Sequence, residues 1–161
     1  MSFFEKALES NADHFVALEN LGSAYRQQRR YKEARDTLER ALKIKPDDAE
    51  ANYSLGMVLA QTYDNDGAYD HLKKALEARP AYPEAMNNLG ILYLRTRRRD
   101  EAVAEFEKCI QVAPAFDQAY LNLARVYAVE KNTEKAKSVL QALLVQHPDH
   151  AAARQALEEL Q

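Results

Sequence analysis

Apolar residues recur along this chain three and four positions apart, in short blocks separated by polar turns. Leu18, Leu21, Ala24 and Tyr25 form one block, and Ala34, Leu38, Ala41 and Leu42 form the next. Residues at that spacing share one face of an α-helix, so each block predicts an amphipathic helix. β-Branched residues are sparse, and the strong helix formers Ala, Leu, Glu, Gln, Lys and Arg fill the segments. Propensity therefore agrees with period, and no strand is predicted.

The residues that punctuate helices fall at a fixed interval. Pro46, Pro80, Pro114 and Pro148 stand 34 residues apart, as do Gly22, Gly56 and Gly90. The same period aligns Leu21, Leu55, Leu89 and Leu123, then Ala34, Ala68, Ala102 and Ala136, then Leu38, Leu72, Phe106 and Leu140. The chain is an internal repeat, with units at 15–48, 49–82, 83–116 and 117–150. Each unit predicts two helices: the first at 15–28, 49–62, 83–96 and 117–130, the second at 32–45, 66–79, 100–113 and 134–147. Pro after the second helix ends it, and Pro83 sits where a first helical residue needs no N–H. Asp48 and Asp149 are the expected side-chain caps. Glycine inside a helix is unfavourable by roughly 1 kcal/mol, so three at the eighth position predict close approach of a neighbouring helix. Ala124 fills that slot in the fourth repeat.

Composition adds exclusions. At 161 residues with 47% hydrophobic content the chain reads as one folded domain, and its net charge of -3 gives no global attraction to nucleic acid. It lacks an apolar run of membrane-spanning length, and a cytoplasmic protein is the favoured reading. One cysteine, Cys109, excludes an internal disulfide framework and is expected to be buried and inert. Arg26, Arg29, Arg30 and Lys32, with Arg95, Arg97, Arg98 and Arg99, cluster at equivalent turns two repeats apart. Without interleaved aromatic residues they argue only weakly for nucleic acid. Asp64, Asp66 and Gly67 read as a capped turn rather than a calcium loop, and His147 and His150 flank Pro148 with no third ligand in sequence. No catalytic residue, metal site, cofactor or small-molecule substrate is predicted.

The recurring residues are Leu21-Gly22, Tyr25, Ala34, Leu38, Ala41 and Pro46; Leu55-Gly56, Ala68, Leu72, Ala75 and Pro80; Leu89-Gly90, Tyr93, Ala102, Phe106 and Pro114; and Leu123, Tyr127, Ala136, Leu140 and Pro148. This pattern resembles the tetratricopeptide repeat over residues 15–150. Departures are mild: no repeat has Trp at its fourth position, Leu59 replaces the usual Tyr, Cys109 replaces a small Ala, and the turn within each helix pair lacks the common Gly. The resemblance implies an all-α, right-handed solenoid of helix–turn–helix repeats whose first helices line a concave groove. Such a groove implies a non-catalytic interaction scaffold that binds an extended peptide or helix of a protein partner. Extending the register makes 1–14, with Phe3, Phe4 and Ala7, the second helix of a truncated repeat, so the chain reads as a fragment of a longer array. It makes 151–161 a C-terminal capping helix, with Glu158 and Gln161 in the Gly and Tyr slots.

In that register the groove is lined by Asn20, Tyr53, Met57, Asn87, Asn88, Ile91, Leu94, Arg95, Leu121, Asn122 and Arg125. Its first half is polar, with Glu19, Ser23, Arg26, Gln27, Ser54 and Gln61, and its later half adds Ala128 and Val129. Asn20, Asn88 and Asn122, with Ser54, share the sixth position. This column resembles the asparagine ladder of O-GlcNAc transferase repeats, which implies pairing with peptide amides; bonding to the adjacent helix is the alternative. The carboxylate clamp of chaperone-binding members is missing, because Glu19 and Ser23, or Tyr53 and Met57, stand where it needs Lys and Asn. Arg95 and Arg125 remain able to attract a carboxylate or phosphate. Two other readings stay open: weak head-to-tail self-association through complementary half-repeats, driven by Phe3 and Phe4, and service as the recognition arm of a larger enzyme.

Overall fold

The computed structural model describes residues 14–160. Among them lie nine α-helices and no strand: α1 (Phe15–Gln27), α2 (Tyr31–Ile44), α3 (Ala49–Gln61), α4 (Asn65–Ala78), α5 (Pro83–Arg95), α6 (Arg99–Val112), α7 (Asp117–Val129), α8 (Thr133–Gln146) and α9 (Ala151–Glu159). The 34-residue period is kept to the residue, and each second helix starts one residue before its expected position. The expected truncated helix at 1–14, with Phe3, Phe4 and Ala7, and the slot of Gln161 lie outside the described residues, apart from His14.

The chain divides into two compact units, Met1–Ala85 and Met86–Gln161. In the first, α1 packs on α2, α3 on α4, α2 on α3, and α1 on α3. Leu18, Ala34, Leu38, Ala41, Val58, Ala68, Leu72 and Ala75 are fully covered. Phe15, Leu18, Ala41 and Ala51 form one cluster, which joins the first repeat to the start of the second. In the second unit, α6 packs on α7, α7 on α8, and α8 on α9. Tyr120, Ala124, Leu140, Leu143 and Ala153 make a core against which Leu157 and Leu160 pack, so α9 closes the apolar face of α8. Cys109 is buried, as expected.

The eighth-position glycines are points of close approach. A Cβ on Gly22 would lie 2.5 Å from Leu38 Cγ, and one on Gly90 would lie 2.6 Å from Phe106 Cε1. At Gly56 the neighbours are Leu72 Cγ at 3.1 Å and backbone atoms at 3.2 and 3.3 Å. The second-helix residue seated on each glycine is the large apolar column Leu38, Leu72 and Phe106.

Within each pair the turn closes the same way. Arg30 N–H donates to Tyr25 O at 2.9 Å, Asp64 to Leu59 at 2.9 Å, Arg98 to Tyr93 at 2.8 Å and Asn132 to Tyr127 at 2.9 Å. That bond pattern needs a left-handed residue just before the donor. Arg29, Tyr63, Arg97 and Lys131 take it, at φ 59°, 63°, 63° and 59°. Glycine adopts this conformation at no steric cost, whereas a side chain there is strained by roughly 1–2 kcal/mol.

Caps follow the repeat with one correction. Asp48 Oδ1 accepts from Ala51 N–H at 2.9 Å, and Asp64 Oδ1 from Gly67 N–H at 3.0 Å, as the capped-turn reading requires. The cap of α9 is His150 rather than Asp149: His150 Nδ1 accepts from Ala153 N–H at 3.2 Å, while Asp149 pairs with Arg154 at 2.8 Å. His14 caps α1 in the same way, at 3.3 Å. The imidazole stands one residue closer to the helix, where its ring nitrogen reaches the orphan N–H.

Two stability outcomes follow from these geometries. Replacing Gly90 by Ala should lower unfolding free energy by about 1–2 kcal/mol, overpacking against the Phe106 ring outweighing the gain in helix propensity. Lys131→Gly should raise it by about 1 kcal/mol, since Lys131 is exposed and the substitution relieves its left-handed strain. Urea titration of each variant against the parent reads both.

Candidate functional site

The first helices place one face outside the packing columns. On α5 and α7, Ile91 and Val129 remain 43% and 67% exposed. Asn88, Leu94, Leu121 and Asn122 are half-buried, and Arg95 and Arg125 are exposed. On α1 and α3, Asn20 is exposed and Tyr53 and Met57 are half-buried. Asn87 is the exception, since it is only 6% exposed. Its Oδ1 accepts from Asn122 Nδ2 at 2.8 Å, so it braces α5 against α7 rather than lining a surface.

The sixth-position column is largely engaged within the protein. Asn20 Nδ2 donates to Val16 O at 2.8 Å, one turn back in its own helix. Ser54 is buried with its Oγ 3.1 Å from Ser23 Oγ, linking α3 to α1. With Asn122 bound to Asn87, three of the four positions use a polar group to hold a first helix or to join two. Asn122 keeps its carbonyl oxygen and second N–H for other partners.

Two cavities open on this face in the second unit, of about 450 and 380 Å³. Leu94, Arg97, Arg99, Arg125, Val126 and Val129 line the larger. The smaller is bordered by Leu121, Arg125, Ala128, Ala152, Ala156 and Glu159, among others. Arg125 separates them. The first unit has an equivalent of the larger cavity, about 310 Å³, lined by Arg26, Gln27, Arg29, Tyr31, Met57 and Gln61.

Electrostatics differ along the face. In the first unit Glu19 is held above its usual pKa by burial and by the carboxylates of Asp48 and Glu50. Tyr82 is buried, donates to Glu50 Oε2 at 2.8 Å, and packs its ring, tilted by 46°, 5.0 Å from that of Tyr53. Burial, then the Glu50 bond, pushes the Tyr82 hydroxyl far above its ordinary range.

The arginine-rich turns are partly consumed by packing, which the register by itself does not reveal. Arg30 lies 4.3 Å over the Tyr25 ring and bonds Glu33 at 3.0 Å; Arg98 lies 4.5 Å over Tyr93 and bonds Glu101 at 2.9 Å. The signal was present as Tyr and Arg five residues apart around the turn in both repeats. The histidine turn also gains a partner unseen in sequence. Asp117 places Oδ1 3.3 Å from His147 Nε2 and Oδ2 3.4 Å from His150 Nε2. Because His150 Nδ1 accepts the cap bond, the tautomer with hydrogen on Nε2 is the one that faces Asp117. Among the described residues no group of His, Cys, Asp and Glu is placed to hold a metal ion, and no helix is long and apolar enough to cross a membrane.

Comparison with known proteins gives these observations a family. A TPR repeat model matches residues 22–62, and a tetratricopeptide repeat model matches 59–107 and 97–160, more than half of the chain. The chain belongs to the tetratricopeptide repeat family. Solved tetratricopeptide structures share its all-α architecture. MamA aligns with a TM-score of 0.83 at 24% identity, over 92% of this chain and 87% of MamA. YrrB aligns at 0.77 with 30% identity, over 97% of this chain and 80% of YrrB. Pseudomonas aeruginosa pilF aligns at 0.80 with 24% identity, over 91% and 67% respectively. No curated protein matches the chain. The tetratricopeptide fold supports a protein–protein interaction scaffold.

One buried polar pair breaks the tetratricopeptide pattern. At the fourth position, Asn52 is 0% exposed; its Nδ2 donates to Pro46 O and Asp48 O, both at 2.8 Å, and its Oδ1 lies 2.9 Å from His71 Nδ1. With the amide N–H groups committed, His71 is the donor. Burial, then Lys74, holds the His71 pKa below its usual value. The neutral form is therefore favoured by folding, and that stability is fully present above pH 6.5 and lost as pH falls toward the depressed value. The unfolding midpoint of the parent should fall more steeply between pH 7 and 5 than that of His71→Gln; equal slopes would remove His71 as the cause.

Proposed function

We propose that this chain is a non-catalytic interaction scaffold whose first helices bind an extended segment of a partner protein. The observation that carries this is the exposure of Ile91 and Val129 on a face where two cavities meet at Arg125. Packing the solenoid explains neither exposed side chain, and a partly apolar concavity with a few placed polar groups is what a partner segment covers. Asn122, with hydrogen-bonding capacity left over after bracing Asn87, supplies backbone recognition, and Asn88 stands beside it. Further support comes from YrrB, described as a TPR protein with an unusual peptide-binding site, which is 30% identical over 97% of this chain.

The test begins by selecting binders from a displayed random-peptide library and measuring their affinity by fluorescence anisotropy. Ile91→Asp and Val129→Asp should each weaken binding by about tenfold or more while leaving the unfolding midpoint within a degree or so of the parent. Val145→Asp, on α8 and more exposed than either, should change neither. Affinity unaltered by both inner substitutions sinks the groove.

A further inference from the structure

Arg97 stands in a left-handed turn where glycine would relieve strain, yet its side chain borders the larger cavity of the second unit. The first unit repeats the arrangement: Arg29, also left-handed, borders the equivalent cavity beside Arg26, whose Nε is buried without a hydrogen-bond partner. A left-handed side chain stands at this turn in every repeat, Tyr63 and Lys131 included, and at Arg29 and Arg97 it brings a guanidinium to the same kind of niche. In the second unit, Arg97 and Arg125 form no ion pair among the described residues, whereas Arg99 leans on Glu130 at 3.6 Å. The opposite wall is apolar: Leu94, Val126 and Val129.

We propose that this niche is the acidic-residue subsite of the groove: an Asp or Glu side chain of the bound segment sits between Arg97 and Arg125, and an adjoining apolar residue packs on Leu94, Val126 and Val129. The inference rests on the groove reading above and names its ligand chemistry. Two guanidiniums offer forked N–H donors that match a carboxylate. The apolar wall favours a peptide over a phosphodiester backbone, and Arg98, next in the turn, is already paired with Glu101. Glu130 is paired with Arg99, and Glu159 borders the smaller cavity.

Peptides selected from the random library on the parent protein should be enriched in Asp or Glu next to an aliphatic residue. Changing that acid to its amide should weaken a selected peptide by about tenfold at low salt, with the gap narrowing as salt rises. Arg97→Gly should erase the gap while raising the unfolding midpoint, and Lys131→Gly should raise the midpoint and leave the gap intact. Binders without acidic enrichment, or a gap that survives Arg97→Gly, overturn the subsite while the Ile91 and Val129 dependence keeps the groove. A single-stranded oligonucleotide that outcompetes the acidic peptide and is itself lost in Arg97→Gly overturns it in favour of phosphate. A library that yields no binder discards the groove itself.

Discussion

The close approach of two helices at one glycine organises everything else in this chain. Where a first helix carries Gly22, Gly56 or Gly90, its partner seats Leu38, Leu72 or Phe106 directly on the backbone, with no room for a methyl group at Gly22 or Gly90. A contact that tight sets the rotation of both helices about their axes. Once rotation is set, the sides of the first helix are assigned: Leu21, Leu55, Leu89 and Leu123 turn to the core, and the ninth and thirteenth positions stay half-buried or exposed. The exposed side is a by-product of the packing side.

That dependence explains what was legible in the sequence. Helix ends were readable to within a residue because Pro, the capping residues and the period reinforce one another, and all are local signals. The packing role of the glycines was readable because a residue that weakens a helix recurs at fixed phase only where a neighbour leaves no space for a side chain. What was missed needed three dimensions. Asn87 follows the groove register and yet is buried, because a bond from Asn122, 35 residues on, draws it between helices. Asn52 and His71, 19 residues apart, meet through a buried hydrogen bond. Asp117 reaches His147 and His150 only because pairing of α7 with α8 brings the start of one helix beside the turn that follows the other. Each is an exchange between repeats or helices at a position where one repeat departs from the others, so its partner has no column to announce it.

Polar groups on the inner face thus divide by what they touch. Ser23 with Ser54 and Asn87 with Asn122 join first helices of successive repeats, and their partial burial favours satisfied over solvent-facing hydrogen bonds. The column that resembles a ligand ladder does structural work first, and any recognition must come from the lone pairs and N–H groups left over. Arg97 and Arg125 differ in kind, since no acid within the described residues pairs with them.

The two equivalent cavities separate geometry from chemistry. Both are built from the end of one first helix, the left-handed turn that follows, and the next first helix, so the backbone supplies the same concavity twice. Their linings diverge: Gln27, Met57 and Gln61 in the first unit stand against Arg125 and Val129 in the second, with Arg26 replaced by Leu94. None of these positions belongs to a packing column, so they vary without disturbing the glycine contacts. Arginine at the turn is the element kept in both, and it is kept against its backbone preference. The same strain stands at Tyr63 and Lys131, so the turn carries it in every repeat, and what sets Arg29 and Arg97 apart is the cavity that each borders.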